Sequence, residues 1–111
     1  MSAVLPNAFA GLNGLFNTTV SESKILTNPF LKIAIPNSYY RHNLQVLSFR
    51  ADIIQGTDST FTHANGYQLS QEQLKLIRQL NPGDEIYFSD IRVSCASSRI
   101  GTAPPFWIRI E

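Results

Sequence analysis

The sequence contains very little cysteine and almost no excess of charge. Its one cysteine, Cys95, cannot close a disulfide within the chain and cannot hold a metal ion by itself. Nine Lys and Arg residues stand against eight Asp and Glu residues, which leaves a formal net charge of +1. A chain so close to neutral has no summed field to attract nucleic acid or an anionic membrane. We therefore expect no nucleic-acid partner, no metal and no cofactor.

Long hydrophobic runs are missing as well. The N-terminal segment has no basic start and is interrupted by turn-forming residues such as Pro6, Gly11 and Gly14. Such a segment matches neither a signal peptide nor a membrane span, so we predict no membrane insertion by this chain. Either the protein is cytosolic or its targeting signal lies outside this sequence.

What the sequence does contain is enough apolar material for one core, at 111 residues of which 43% are hydrophobic. We predict an N-terminal arm or edge strand over residues 1–20 and a single β-sandwich domain over residues 21–111. Thr19 and Glu22 have the T-x-x-E spacing of a capping box, which predicts a short N-terminal helix that ends at Asn28-Pro29.

Several short segments have the pattern of strands. In residues 45–55 four apolar side chains alternate with mostly polar ones, which predicts that one face lies in the core: Leu47, Phe49, Ala51 and Ile53. A turn at residues 56–58 and a returning strand at 59–64 follow. We also predict strands at 30–35, 85–94 and 106–110, with a loop over 96–105. The strand at 85–94 needs a β-bulge near Ser89-Asp90, because its two apolar pairs are out of phase.

One crossover helix is predicted at about residues 71–80. Ser70 and Gln73 form an S-x-x-Q capping box, and Leu69 and Leu74 have the spacing of a hydrophobic staple. The apolar stripe of this helix consists of Leu74, Ile77 and Leu80. The fold class is therefore mainly β, as an immunoglobulin-like β-sandwich or an open barrel with this crossover α-helix and the short N-terminal helix.

Two runs of residues carry a resemblance to a known family. They are Tyr67-Gln68-Leu69-Ser70-Gln71-Glu72-Gln73-Leu74-Lys75-Leu76-Ile77 and Leu80-Asn81-Pro82-Gly83-Asp84-Glu85-Ile86-Tyr87-Phe88-Ser89-Asp90-Ile91. Together with the ending Pro104-Pro105-Phe106-Trp107-Ile108-Arg109-Ile110, this order of segments resembles the C-terminal periplasmic domain of the GldM/PorM family of gliding motility and type IX secretion.

The resemblance implies a scaffold role in the periplasm without chemistry. Members of that family form long dimers that reach from an inner-membrane motor to an outer-membrane ring, and their last domain contacts the ring. We therefore expect a protein partner among outer-membrane ring subunits, and a homodimer is a further expectation. A β-sandwich that binds a carbohydrate or another ligand at the cell surface is the alternative.

The candidate interaction surface combines aromatic and basic side chains, a composition suited to protein hot spots and to stacking on sugar rings. It consists of Tyr39, Tyr40, Arg41, His42 and Trp107. Trp107 alternates with the apolar residues of the last strand, so it lies either in a covered core or at an interface.

Catalysis needs a nucleophile, a base and an orienting group that meet at one site. The sequence offers only scattered candidates: His42, His63, Asp52, Asp84 and Asp90. A small hydrolase using His42 or His63 remains a third hypothesis, but no spacing favours it, and we predict no catalytic residue.

Overall fold

Two long neighbouring strands organise the fold in the computed structural model, which describes residues 3–4, 9–34, 45–94 and 100–111. The strands are β1 (Ala3–Val4), β2 (Phe9–Leu12), β3 (Thr18–Val20), β4 (Leu31–Ala34), β5 (Gln45–Gln55), β6 (Asp58–Asn65), β7 (Glu85–Ser94), β8 (Ile100–Ala103) and β9 (Phe106–Ile110). The helices are α1 (Glu22–Thr27) and α2 (Gln71–Ile77). The protein is therefore mainly β, as predicted.

The larger sheet is built around β5 and β7, which pair antiparallel. The other edge of β5 pairs with β6. The other edge of β7 pairs with β9 along its first half and with β8 along its second half. β3 and β1 then add to β9 and β8 as parallel neighbours. Because β6 and β7 flank β5 from opposite sides, the connection through α2 crosses over β5, as predicted for this helix.

One face of this sheet, here called the inner face, carries the core. Its buried residues form rows across the strands, and Phe88 stacks on Phe106 with ring centroids 4.6 Å apart and contacts Phe49 at 5.9 Å. β2 and β4 pair only with each other in the described part of the chain, yet Leu12 and Leu31 belong to the same core cluster. The β2–β4 pair and the helices thus contribute buried residues to the same core as the large sheet.

The prediction for β5 is correct in its bounds and wrong at Leu47. Phe49, Ala51 and Ile53 are buried, but Leu47 is exposed and Val46 is buried in its place. The reason is an irregularity in register: Val46 faces Val93 and Ser48 faces Arg92, so Leu47 is one residue more than β7 supplies. The alternation of buried and exposed side chains changes phase at an extra residue, so the residues before it and after it follow opposite patterns.

The predicted bulge in β7 is confirmed. Ser48 faces Arg92 and Arg50 faces Ser89, so β7 has an extra residue between these pairs. Asp90 lies there with φ of 47°, a left-handed conformation that Asp tolerates better than most residues. The bulge restores the phase, because Ile86 and Phe88 before it and Ile91 and Val93 after it are all buried.

The capping box of α2 is confirmed. The Ser70 hydroxyl accepts from the Gln73 amide at 3.1 Å, and the Gln73 side chain accepts from the Ser70 amide at 2.9 Å. Leu69, Leu74 and Ile77 are buried, in agreement with the staple and the stripe. The α-helix ends at Ile77, earlier than predicted, and a tighter turn carries the buried Leu80, whose amide donates to the Ile77 carbonyl.

Two other local predictions are wrong. Thr19 does not cap a helix, because it lies in β3 opposite Arg109 and the N-cap of α1 is Ser21, although α1 does end before Asn28-Pro29 as predicted. The predicted loop over 96–105 contains β8, which pairs with the second half of β7. Both errors have the same cause, since a neighbouring strand in the sheet offers hydrogen bonds that a local pattern does not reveal.

The predicted boundary after residue 20 stays a prediction, but residues 9–20 contribute directly to the fold. Ala10, Leu12 and Val20 are buried in the core cluster. β3 runs parallel to β9, and the Asn17 amide donates to the Trp107 carbonyl.

In the described ranges no helix is long and apolar enough to cross a membrane.

Candidate functional site

The opposite face of the large sheet, here called the outer face, carries an aromatic row. The register places Phe61 of β6 beside Asp52 of β5, Asp52 beside Tyr87 of β7, and Tyr87 beside Trp107 of β9. Side chains of residues that face each other across paired strands point to the same side of a sheet. One line across four strands therefore contains three aromatic residues.

These rings are accessible to a partner. Phe61 is 65% exposed and Tyr87 is 39% exposed, while Trp107 is half-buried. Both strand neighbours of Tyr87 and of Trp107 are buried, as the alternation of a one-sided sheet requires, whereas Phe61 lies between the buried Thr62 and the exposed Thr60. Large apolar rings that share one open face are a common feature of binding surfaces.

An arginine is fixed against the ring at each end of the row. The Arg50 guanidinium lies 4.2 Å from the centroid of Phe61, and the Arg109 guanidinium lies 5.3 Å from the centroid of Trp107. Both distances are within the range of a cation–π contact. The outer face thus presents planar guanidinium and aromatic groups together.

Each of these arginines also has an acidic partner. Arg50 Nε donates to Asp52 Oδ1 at 2.8 Å and its Nη2 donates to Oδ2 at 3.4 Å, while Arg109 Nη2 donates to Glu85 Oε1 at 3.4 Å. The pairs are partly exposed, so each contributes little to the stability of the fold. The acids offset the charges of the two arginines, so the row is close to neutral.

Of the predicted interaction residues, one lies in the described part of the chain. Trp107 lies in the aromatic row, whereas Tyr39, Tyr40, Arg41 and His42 fall outside the described residues, as does Cys95.

The sequence reasoning missed four members of the outer face: Phe61, Tyr87, Arg50 and Arg109. A signal for them was present, because Phe61 and Tyr87 occupy the solvent-facing phase of their strands, as Trp107 does. An aromatic residue at that phase in three strands would have suggested a common surface. That they lie in one row depends on register, which no single strand reveals.

The carboxylates considered for catalysis have structural contacts. Asp84 accepts from the Asn81 amide at 2.8 Å and from the Gly56 amide at 3.1 Å, so it joins two turns. Asp52 pairs with Arg50, and Asp90 lies 3.8 Å from Arg92.

His63 is exposed on the outer face opposite Arg50, and its ring has no hydrogen bond to the described residues. No group of three or more His, Cys, Asp or Glu residues in the described ranges could hold a metal ion. The described candidates therefore do not converge on one site.

In comparisons with known proteins, the chain matches no family model and no curated protein.

Proposed function

We propose that this chain is a non-catalytic protein-interaction domain that binds its partner through the aromatic row of the outer face. The observation that carries the proposal is the alignment of Phe61, Tyr87 and Trp107 on one open sheet face, with Arg50 and Arg109 fixed against the end rings. Tyr, Trp and Arg are the residues most enriched at the centres of protein interfaces. Rings held in a rigid sheet also lose little conformational entropy on binding.

The balance of charge favours a protein partner over nucleic acid. Both arginines of the row are already paired with acids, so few positive charges remain to neutralise phosphates. Contacts at this face would instead come from burial of ring surface and from stacking on guanidinium groups. Protein surfaces offer both kinds of contact.

The biological setting that we propose comes from the resemblance to the GldM/PorM family. In it, the domain is the last periplasmic part of a gliding or type IX secretion scaffold and contacts an outer-membrane ring. The capping box of α2 and the final strand β9 lie where the resembling runs require a helix and a strand. The finer fold that we propose is an immunoglobulin-like β-sandwich, supported by the separate β2–β4 pair, which contributes buried residues to the same core as the large sheet.

A carbohydrate-binding module is the second candidate. Tyr87 and Trp107 lie side by side on the open face, an arrangement on which a sugar ring can stack. Substitutions in the row would therefore weaken either kind of binding, and the identity of the bound partner distinguishes the two functions.

A pull-down from the envelope fraction of the source organism tests the proposal. We expect the wild-type domain to retain outer-membrane ring subunits, identified by mass spectrometry, and the double variant Phe61→Ala/Tyr87→Ala to lose them. Each truncation removes a ring that contributes on the order of 1–2 kcal/mol at a hot spot, so the pair should weaken binding at least about tenfold.

Tyr67→Ala is the matched control, because Tyr67 is 46% exposed but its ring contacts Phe30 instead of the outer face. It should bind like the wild type. Binding on a glycan array that disappears in Tyr87→Ala, with no ring subunit retained, would replace the protein-interaction function with the carbohydrate-binding one. Equal loss in all variants would argue against the outer face as the site.

A further inference from the structure

A cavity of about 240 Å³ opens beside α1, away from the aromatic row. Its apolar wall is formed by buried side chains from four different elements: Leu12, Val20, Ile25 and Ile108. For comparison, an apolar cavity of about 150 Å³ in an engineered protein is large enough to bind benzene. The cavity beside α1 therefore has room for a hydrocarbon group somewhat larger than a phenyl ring.

Polar side chains line the cavity together with the apolar ones. They belong to Lys24, Asn13 and Asn28, and none of them has a hydrogen bond or an ion pair with the rest of the described chain. Among the described residues that line the cavity, the lysine is the one charged group and none is acidic. An apolar wall with a few convergent polar groups is the usual composition of a small-molecule site.

We propose that this cavity binds a carboxylate attached to a short hydrocarbon body. The body would fill the space against Ile25 and Ile108, and the carboxylate would accept hydrogen bonds from the Lys24 ammonium group and the side-chain amide of Asn28. A charge-assisted bond to the lysine fixes the orientation of a ligand whose affinity comes mainly from apolar burial. The site is separate from the outer face and does not depend on the function proposed for it.

Two sources can supply this chemistry, a free short-chain acid and the C-terminal residue of a peptide. Hexanoate represents the first, and N-acetyl-Ala-Leu with a free carboxylate represents the second. Their uncharged counterparts, hexanamide and the peptide amide, keep the hydrocarbon body and remove the charge. Whichever of the two acids binds more tightly identifies the source.

Titrations of the isotope-labelled protein with these four compounds, followed by amide NMR shifts at neutral pH, test the site. We expect saturable shifts at Val20, Ile25 and Ile108 for at least one acid, with about two- to fivefold weaker binding of its amide, the range expected for one exposed ion pair. Shifts that are absent at these residues, or equal affinities for acid and amide, would overturn the proposal.

A matched pair of variants isolates the lysine. Lys24→Gln should weaken binding of the acid about two- to fivefold and leave binding of its amide unchanged. Lys75→Gln, at an exposed position of α2 outside the cavity, should change neither. If Lys75→Gln weakens acid binding as much as Lys24→Gln does, the effect is one of net charge and the assignment of the site to the cavity is wrong.

Discussion

At the scale of single residues, Gln73 shows how a polar group is accommodated in this core. Its side chain is fully buried, and its Oε1 accepts from the Ser70 amide while its Nε2 donates to Thr62 Oγ1 at 2.9 Å. Thr62 in turn donates to the Ala51 carbonyl at 2.7 Å. The chain of bonds has one consistent direction, because the Ser70 amide needs an acceptor and the Ala51 carbonyl needs a donor. It connects the start of α2 to β6 and β5.

Replacing Gln73 with Ala should therefore destabilise the protein strongly. The substitution leaves buried polar groups without partners and opens a cavity, which together cost about 2–4 kcal/mol in the free energy of unfolding. Urea unfolding followed by circular dichroism measures this loss.

Gln71→Ala is the matched control for that measurement. Gln71 is exposed in the first turn of the same helix, so its loss should change the unfolding free energy by no more than about 0.5 kcal/mol. Similar losses for the two variants would show that the buried chain of hydrogen bonds contributes little.

At the scale of secondary-structure elements, the pairing of β5 with β7 depends on two compensating irregularities. Leu47 is the extra residue of β5, and an extra residue of β7 lies where Asp90 adopts a left-handed φ. Without them, the apolar residues at one end of the pair would face solvent.

The conformation of Asp90 predicts which substitutions the bulge tolerates. Asp90→Val should destabilise the protein by about 1–2 kcal/mol, because a β-branched side chain is strained at positive φ. Asp90→Asn should stay close to the wild type, since Asn tolerates this conformation and the exposed contact with Arg92 contributes little. Thermal unfolding of both variants checks this, and a loss in Asp90→Asn equal to that in Asp90→Val would assign the effect to charge instead.

At the scale of the whole molecule, segments that are far apart in the sequence form hydrogen bonds with each other and share one core. β3 pairs in parallel with β9, and the Glu111 amide donates to the Val20 carbonyl. β2 supplies Leu12 to the core through its pairing with β4. We infer that residues 9–20 unfold together with the rest of the domain.

Leu12→Ala tests this integration. Leu12 is 3% exposed, so its truncation should cost about 2–4 kcal/mol, whereas Leu15→Ala, at a side chain that is 38% exposed, should cost less than about 1 kcal/mol. Guanidinium unfolding of the two variants provides the comparison. If both losses are below about 1 kcal/mol, the segment behaves as a detachable arm.

The sequence by itself determined the features that depend on neighbours along the chain. The start of α2 was predictable because a capping box involves residues three positions apart, and the faces of β9 were predictable because its alternation is uninterrupted. Even the bulge near Asp90 was predictable, since two buried pairs out of phase require it. Of the candidate site, only Trp107 was predicted among the described residues.

Only the tertiary structure decided what depends on register between strands. The outward position of Leu47, the strand β8 and the alignment of Phe61 with Tyr87 and Trp107 all follow from which residues face each other across paired strands. A shift of one residue in a strand exchanges its two faces, and each strand alone is compatible with several registers. The physical reason is that packing of the whole core selects the register, and with it the surface that the protein presents.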